Sequence, residues 1–103
     1  MYKIGKFYKV EGSDQYIFII DLKIEKELWR EVYYAKKIIL WTDKLDDFRW
    51  TMATKDYDWL TTSEDTFLKL VEPPVEVKEW VKNYLTNQVS IHIEALNALH
   101  KET

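Results

Sequence analysis

Two consecutive prolines, Pro73 and Pro74, separate two parts of the sequence that have different hydrophobic patterns. Proline is excluded from the interior of a helix and from a central strand, but it is tolerated in the first turn of a helix. Before the pair, apolar and polar side chains alternate as in strands. After it, apolar side chains recur every three or four residues as in a helix. The sequence therefore predicts a β-rich part over residues 1–72 and a helix over residues 73–103, within a single domain.

Short strands separated by turns account for the first part. The alternation predicts strands over residues 4–10, 15–24, 32–41, 48–53, 59–61 and 67–71. Gly12 lies in the first turn, where it is free to take positive φ. Five or six strands of this length predict a small antiparallel barrel closed by pairing of the first and last strands. With the helix, the fold class is α+β.

Three connecting segments are interpreted from their polarity and turn residues. The polar stretch from Lys23 to Arg30 is expected to be a wide loop or a short helix. A turn is expected at residues 55–58, before Trp59, and a single helical turn at residues 63–66, with Ser63 as its N-cap. In the predicted strand over residues 15–24, the pattern places Ile17 and Ile19 on one face. The other face carries Tyr16, Phe18, Ile20, Leu22 and Ile24.

The segments Ile4–Val10 and Trp59–Leu70 resemble the two ends of SH3-like and Tudor-like small barrels, including small phage and prophage proteins. In those folds a strand carrying an aromatic residue is followed by a helical turn and a short closing strand. The resemblance covers residues 4–71 and implies an SH3-like barrel, but fold does not fix function. Archaeal chromatin proteins share the order of barrel and helix. They are strongly basic, whereas this chain has a net charge of −3, so DNA compaction is not expected.

Apolar side chains follow the helical repeat from Val77 to Leu99, with Leu85, Val89 and Leu96 on one stripe. A neighbouring stripe carries Ile91, Ala95 and Ala98. A single helix over residues 75–101 would be about 40 Å long, whereas a six-residue strand spans only about 20 Å. Either the end of the helix overhangs, or the helix breaks near Thr86–Asn87 and folds back. An overhang would leave Leu85, Val89, Leu96 and Leu99 for self-association, so we expect a homodimer.

Composition narrows the class of protein. The 103 residues include no cysteine, which rules out disulfides, thiolate catalysis and cysteine-based zinc sites. No apolar run approaches the length of a membrane span, and no signal-peptide core follows Met1, so a cytoplasmic protein without membrane association is expected. The net charge of −3 also disfavours general affinity for nucleic acid.

Aromatic residues are the first candidate binding surface, because they make up 16% of the chain. Not all of those in the strands can face inward if the side chains alternate. The candidates are Tyr33, Tyr34, Trp41, Trp50, Tyr57 and Trp59. In Tudor-like barrels, which the chain resembles, such residues form cages for cations. The alternative is that these rings fill a small core.

Acidic residues are a second candidate surface, formed by Asp43, Asp46, Asp47, Asp56 and Asp58. Such a patch would fit a basic protein, whereas the alternative is a set of solvated turns. The paired aspartates invite an acid–base interpretation. However, they fall at predicted turns, and no nucleophile or oxyanion donor is evident beside them. We therefore expect neither catalysis nor a cofactor.

Histidine and lysine residues give weaker signals. His92 and His100 are eight residues apart on the helix, too far for a shared metal site in one chain, so no metal is expected. Lys36–Lys37, beside Tyr33 and Tyr34, is the best candidate for contact with nucleic acid. The sequence thus favours a non-enzymatic protein-binding module, which the phage resemblance extends to a viral accessory protein that inhibits a host factor. Nucleic-acid binding is the main alternative, and an enzyme is a distant third.

Overall fold

The computed structural model describes residues 2–10, 12–42, 50–62 and 68–101, with the backbone alone at residues 42, 50–55 and 62. It contains five strands and one helix in these residues. They are β1 (Phe7–Val10), β2 (Tyr16–Glu27), β3 (Arg30–Thr42), β4 (Trp50–Thr62), β5 (Leu68–Leu70) and α1 (Val75–Lys101). The chain divides into two compact units, Met1–Pro73 and Pro74–Thr103. The predicted α+β class, a β-sheet followed by a C-terminal helix, is confirmed.

The five strands form one antiparallel sheet in the order β4-β3-β2-β1-β5. The predicted pairing of the first and last strands is present, since Tyr8 lies opposite Leu70 and Val10 opposite Leu68. In the described residues, however, β4 and β5 do not pair, and the sheet is not closed into a barrel. β1 and β5 have only four and three residues, so they extend the sheet beside one end of β2 only.

The segment from Lys23 to Arg30, expected to be a loop or a helix, is instead the end of a long hairpin. β2 and β3 pair without interruption from Asp21↔Lys36 to Glu27↔Arg30, which leaves only Leu28 and Trp29 in the turn. The charged side chains of this segment are exposed. Strands at the edge of a sheet tolerate such side chains, and β1 does not cover this end of β2. The polar composition of this segment predicted a loop or a short helix, whereas in the structure it belongs to an exposed two-stranded hairpin.

β4 runs unbroken through residues 55–58, where the sequence predicted a turn between two strands. Ala35 pairs with Asp58 and Lys37 with Lys55, so β4 carries one extra residue here. Within it, Tyr57 has a φ of 45°. An extra residue in one strand is a β-bulge, which bends the strand without ending it. The polar Lys55–Asp58 stretch therefore forms a bulge.

A second bulge lies in β2, between Ile19 and Asp21. Because one extra residue reverses the alternation, Leu22 packs with Ile17 and Ile19, not with Phe18 as predicted. Asp21 and Lys23 consequently lie on the opposite face. The bulge thus moves two charged side chains out of the core face and places them together on the other side of the sheet.

The core of the sheet unit lies on the face that carries Ile17 and Ile19. It is a cluster of buried side chains from four strands: Tyr8, Ile17, Ile19, Tyr33, Ala35 and Leu60. Tyr2 adds edge-to-face contacts, with its ring 5.1 Å from Tyr8 and 5.4 Å from Tyr33. On the opposite face, Phe7, Ile38 and Leu40 are also buried. The central strands are therefore buried on both faces at the end of the sheet near β1.

α1 is one uninterrupted helix of 27 residues, so the predicted alternative of a break near Thr86–Asn87 is wrong. It starts directly after the second proline, Pro74, whose carbonyl accepts hydrogen bonds from the amides of Val77 and Lys78. Thr86 and Ser90 donate their hydroxyls to carbonyls four residues earlier, at 2.8 and 3.2 Å. Each hydroxyl is thereby satisfied by the backbone of the helix itself.

Candidate functional site

A row of three side chains crosses the face of the sheet opposite the core. Lys23 of β2 pairs with Tyr34 of β3, and Tyr34 pairs with Trp59 of β4. Directly paired residues project from the same face, with Cβ atoms about 5 Å apart. Trp59 is 51% exposed, and Tyr34 is half-buried beside it. An indole and a phenol ring therefore lie next to each other on a surface supported by three strands.

The bulge in β4 places Tyr57 beside this row. Its hydroxyl donates a hydrogen bond to a carboxylate oxygen of Asp21, and the Lys23 ammonium lies 4.8 Å from the centre of its ring. Hydrogen bonding to Tyr57 and to the Leu22 amide lowers the pKa of Asp21, with help from Lys36 and Lys23. The same bond raises the pKa of Tyr57. Both groups are held in their neutral-pH forms, a carboxylate and a phenol.

The next register position along the strands adds charge. Asp21 pairs with Lys36, whose ammonium lies 3.9 Å from the carboxylate of Asp56. Both partners of this ion pair are largely exposed, so it contributes little to stability. We call the resulting surface the aromatic patch, and it consists of Asp21, Lys23, Tyr34, Lys36, Tyr57 and Trp59. It combines two exposed rings, Tyr57 and Trp59, with two cationic groups and one anionic group.

A buried lysine supports the patch from the core side. Lys37 is only 6% exposed, and its ammonium donates a hydrogen bond of 3.0 Å to the backbone carbonyl of Trp59. Tyr33 pairs with Thr61 while Tyr34 pairs with Trp59, so β4 bulges again at this point. Since a buried ammonium needs hydrogen-bond partners, this contact fixes the backbone of Trp59. Sequence reasoning missed this role because Lys37 stood next to Lys36 in an apparently basic pair.

The structure brings three of the six predicted aromatic residues together and places the other three elsewhere on the sheet. Tyr33 is buried in the core, where its hydroxyl donates to Glu31 at 2.9 Å, and this bond and its burial raise the pKa of Tyr33. Trp41 lies on the same face as Tyr33, because strand residues two apart share a face. Trp50 pairs with Thr42 at the far end of β4. The six residues do not form one cage.

The predicted acidic patch is described only in part. Asp43, Asp46 and Asp47 lie outside the described residues. Asp56 and Asp58 are exposed in β4, and Asp56 is paired with Lys36. In the described residues, the acidic groups near β4 are therefore mixed with basic ones.

The suggested basic contact point for nucleic acid is not formed. Successive strand residues point to opposite faces, so Lys36 and Lys37 lie on different sides of the sheet. Lys37 is buried, and Tyr33 beside it is a core residue. Only Lys36 and Tyr34 of the four share the outer face, and the carboxylate of Asp56 is near this lysine.

The turn of the β2–β3 hairpin carries the most exposed large apolar side chains in the described part of the chain. Leu28 is 91% exposed and Trp29 is 82% exposed. We call these two residues the hairpin tip. Leu28 has a φ of 53°, a conformation that a branched side chain adopts at a cost. The sequence analysis missed the tip. The available signal was an apolar pair between charged residues, at the centre of a segment that the sequence predicts to be a wide loop or a short helix.

The residues predicted to mediate self-association lie on α1. Leu85 is half-buried, whereas Val89, Leu96 and Leu99 are 57%, 53% and 59% exposed. The buried residues of the helix are Val77 and Val81, in its first two turns. Trp80 and Tyr84 stack on each other with ring centres 5.6 Å apart. Every described residue from Val89 onwards is exposed.

No group of three or more histidine, aspartate or glutamate side chains that could hold a metal ion occurs in the residues that the structure describes. Over the same residues, no helix combines the length and the apolar character needed to cross a membrane. Comparisons with protein-family models, with curated proteins and with solved structures found no match. The site must therefore be interpreted from its own chemistry.

Proposed function

We propose that this protein is a non-enzymatic interaction module that binds another protein through the aromatic patch. The observation that carries the proposal is the cross-strand pair of Tyr34 and Trp59, with Trp59 half-exposed on a three-stranded surface. Tryptophan and tyrosine are enriched at the energetic centres of protein interfaces, because they bury a large area at a low cost in conformational entropy. The rigid sheet holds both rings in place before binding.

The charges of the patch favour a protein over a nucleic acid. Binding to nucleic acid requires several basic side chains that neutralise phosphates. Here Lys23 lies against the Tyr57 ring and Lys36 against Asp56, and Asp21 adds a further negative charge. Apolar rings surrounded by polar groups of both signs match the core and rim of a protein interface.

The protonation states support a role in binding without chemistry. A general base needs a pKa near the working pH. The pKa of Asp21 is lowered and that of Tyr57 is raised, so both move away from neutrality. Their hydrogen bond orients the Tyr57 ring at the edge of the patch, and this orientation is the contribution that we assign to the pair.

The hairpin tip provides a second contact on the same partner. Leu28 is five residues beyond Lys23 in β2, which corresponds to about 17 Å along the strand. A partner that covers about 800 Å² of this protein can reach both places. Leu28 and Trp29 are apolar and almost fully exposed, so they can insert into an apolar site on the partner.

The SH3-like fold and a viral accessory role belong to the same proposal. The pairing of β1 with β5 supports an SH3-like arrangement, because the resemblance predicted that the first and last strands pair. The accessory role, in which the module inhibits a host factor, is supported by the resemblance to phage proteins. A cytoplasmic location follows from this role.

Photocrosslinking in the native host cell tests the proposal. p-Benzoylphenylalanine would replace Trp59 in one variant, Trp29 in a second and Gln15 in a control variant. Gln15 is exposed near the opposite end of β2, away from both surfaces. We expect one covalent adduct of the same protein from positions 59 and 29, and none from position 15. Co-expressed unmodified protein should suppress the adduct, whereas its Trp59→Ala variant should not.

Two outcomes would contradict the proposal. If position 15 gives the same adducts as position 59, the crosslinks report random encounters. If the adducts at position 59 contain nucleic acid that is resistant to protease, the surface binds the alternative class of partner.

A further inference from the structure

The exposed end of α1 carries an apolar seam with the spacing of a coiled coil. Its residues are Leu85, Val89, His92, Leu96 and Leu99, separated by four, three, four and three positions. This 3.5-residue spacing keeps side chains on one line of a helix that pairs with another. Val89, Leu96 and Leu99 of the seam are 53–59% exposed. The buried residues of α1, Val77 and Val81, precede the seam, and Leu85 at its start is half-buried.

We infer that this seam binds the seam of a second copy of the chain, in antiparallel orientation. Placing residue i opposite residue 181 − i puts Leu85 against Leu96 of the second copy and Val89 against its His92. The twofold symmetry repeats both contacts, with His92 against Val89 and Leu96 against Leu85 of the second copy. A face that is complementary to itself in this way is the requirement for a twofold dimer interface.

The charges preceding the seam select the antiparallel orientation. The alternating spacing of three and four residues continues from Leu85 towards the N-terminus, where it reaches Lys82 and then Lys78. In a parallel pair, each lysine would face its own copy, and like charges in facing layers oppose association. In the antiparallel pair, the aliphatic part of Lys82 instead covers Leu99 of the second copy. Glu79 then lies near His100 of the second copy.

The low charge of the helix also favours a second copy as the occupant. From Asn83 to Asn97, Glu94 is the only residue that is fully charged at neutral pH. Partners that differ from one another are usually specified by charges beside the seam. Here those flanking positions hold uncharged residues such as Thr86, Gln88 and Ile93. The interface is independent of the aromatic patch, which lies on the other compact unit.

Sedimentation equilibrium of the full chain tests the inference. The measurement covers concentrations from about 1 to about 100 µM, which corresponds to dissociation constants in the micromolar range. We expect a monomer–dimer equilibrium in which Leu96→Glu raises the dissociation constant about 100-fold or more, since it puts two carboxylates in apolar layers. Asn97→Glu adds the same charge at the next, exposed residue and should leave the dimer intact. Far-UV circular dichroism verifies that both variants keep the helix. A wild-type monomer at 100 µM, or equal effects of the two variants, would overturn the inference.

Spin labels test the orientation separately, and the absence of cysteine allows a single Cys to be introduced at will. In the antiparallel dimer, two labels at position 90 are nearly level, whereas two at position 97 are about 20 Å apart along the helix axis. Dipolar spectroscopy should therefore give a longer distance for position 97 than for position 90. Equal distances would show a parallel pair and contradict the proposed orientation.

Discussion

The ammonium of Lys37 donates a hydrogen bond to the backbone carbonyl oxygen of Trp59, at 3.0 Å and below a surface where Trp59 itself is half-exposed. The two residues lie on strands β3 and β4 and are 22 positions apart in sequence. Through this contact, a buried ammonium group holds the bulge from which the half-exposed Trp59 projects. The residue that supports the aromatic patch is therefore itself buried on the opposite face of the sheet.

Replacing Lys37 with methionine should therefore destabilise the protein more than replacing its neighbour. Lys37→Met removes the hydrogen bond to the Trp59 carbonyl, and we expect the free energy of unfolding to fall by about 1–3 kcal/mol. Lys36→Met removes only an exposed ion pair with Asp56, so its effect should stay within about 0.5 kcal/mol. Urea denaturation measures both. Equal effects of the two variants would show that the Lys37 bond has no structural role.

The hydrogen bond between Tyr57 and Asp21 should be visible in the titration of both groups. Tyr57→Phe removes the bond, so we expect the pKa of Asp21 to rise towards its ordinary value of 3.8. Because the folded-state pKa of Asp21 is lowered, the bond stabilises the protein above about pH 4 and is lost as the pH falls through the folded-state value. The raised pKa of Tyr57 has the opposite consequence. Its contribution is complete below pH 10.0 and is lost at higher pH.

Carboxyl carbon NMR of the wild type and Tyr57→Phe measures the Asp21 titration directly. Tyr34→Phe is a matched control, since no hydrogen bond to Asp21 is involved in that change. An unchanged Asp21 titration in Tyr57→Phe would contradict the assigned cause of the shift.

The backbone at Leu28 predicts a conflict between stability and binding at the hairpin tip. Leu28 has a φ of 53°, which glycine adopts without steric cost. Leu28→Gly should therefore leave the protein as stable as the wild type or stabilise it, by up to about 1 kcal/mol. The same change removes an apolar contact and should reduce crosslinking from position 29. Thermal denaturation measures the stability, and a clear loss of stability would show that the Leu28 side chain packs within the fold.

Shortening α1 should affect association and leave folding intact. In the described residues, the buried side chains of the helix are Val77 and Val81, and everything from Val89 onwards is exposed. We expect a chain ending at Asn87 to keep a cooperative thermal transition close to that of the full chain at low concentration, because it retains both buried residues. The same chain should be monomeric, since it lacks most of the seam. Loss of the cooperative transition would make the whole helix part of one folding unit.

Periodicity and turn chemistry were sufficient to predict much of the fold. The double proline located the start of α1, alternation located the central strands, and the φ of 78° at Gly12 agrees with its predicted turn. The bulges escaped prediction, because a bulge depends on which strand lies opposite. Without the bulge after Ile19, Leu22 was assigned to the wrong face. The polar Lys55–Asp58 stretch has turn composition, and only its pairing with β3 reveals a continuous strand.

The sequence predicted which aromatic residues were candidates for the site, but not which of them lie together. Tyr34 and Trp59 were correctly predicted to lie in strands, whereas Tyr57 was predicted to lie in a turn. The register of the sheet then selected these three from the six aromatic candidates. Tyr33 could not be distinguished from Tyr34 by residue type, and alternation alone did not say which of the two faces the core. For the same reason, the burial of Lys37 was not predicted. The sequence shows two adjacent lysines, whereas the sheet places them on opposite faces.

The central claim is that Trp59 is the energetic centre of a protein-binding surface, and the affinity of the crosslinked partner for purified variants tests it most directly. Isothermal titration calorimetry would compare the wild type with Trp59→Ala and with the control Gln15→Ala. We expect Trp59→Ala to weaken binding by about 30-fold or more, as for an interface hot spot, and Gln15→Ala to bind like the wild type. If Trp59→Ala binds the partner with unchanged affinity while remaining folded, the aromatic patch is not the binding surface.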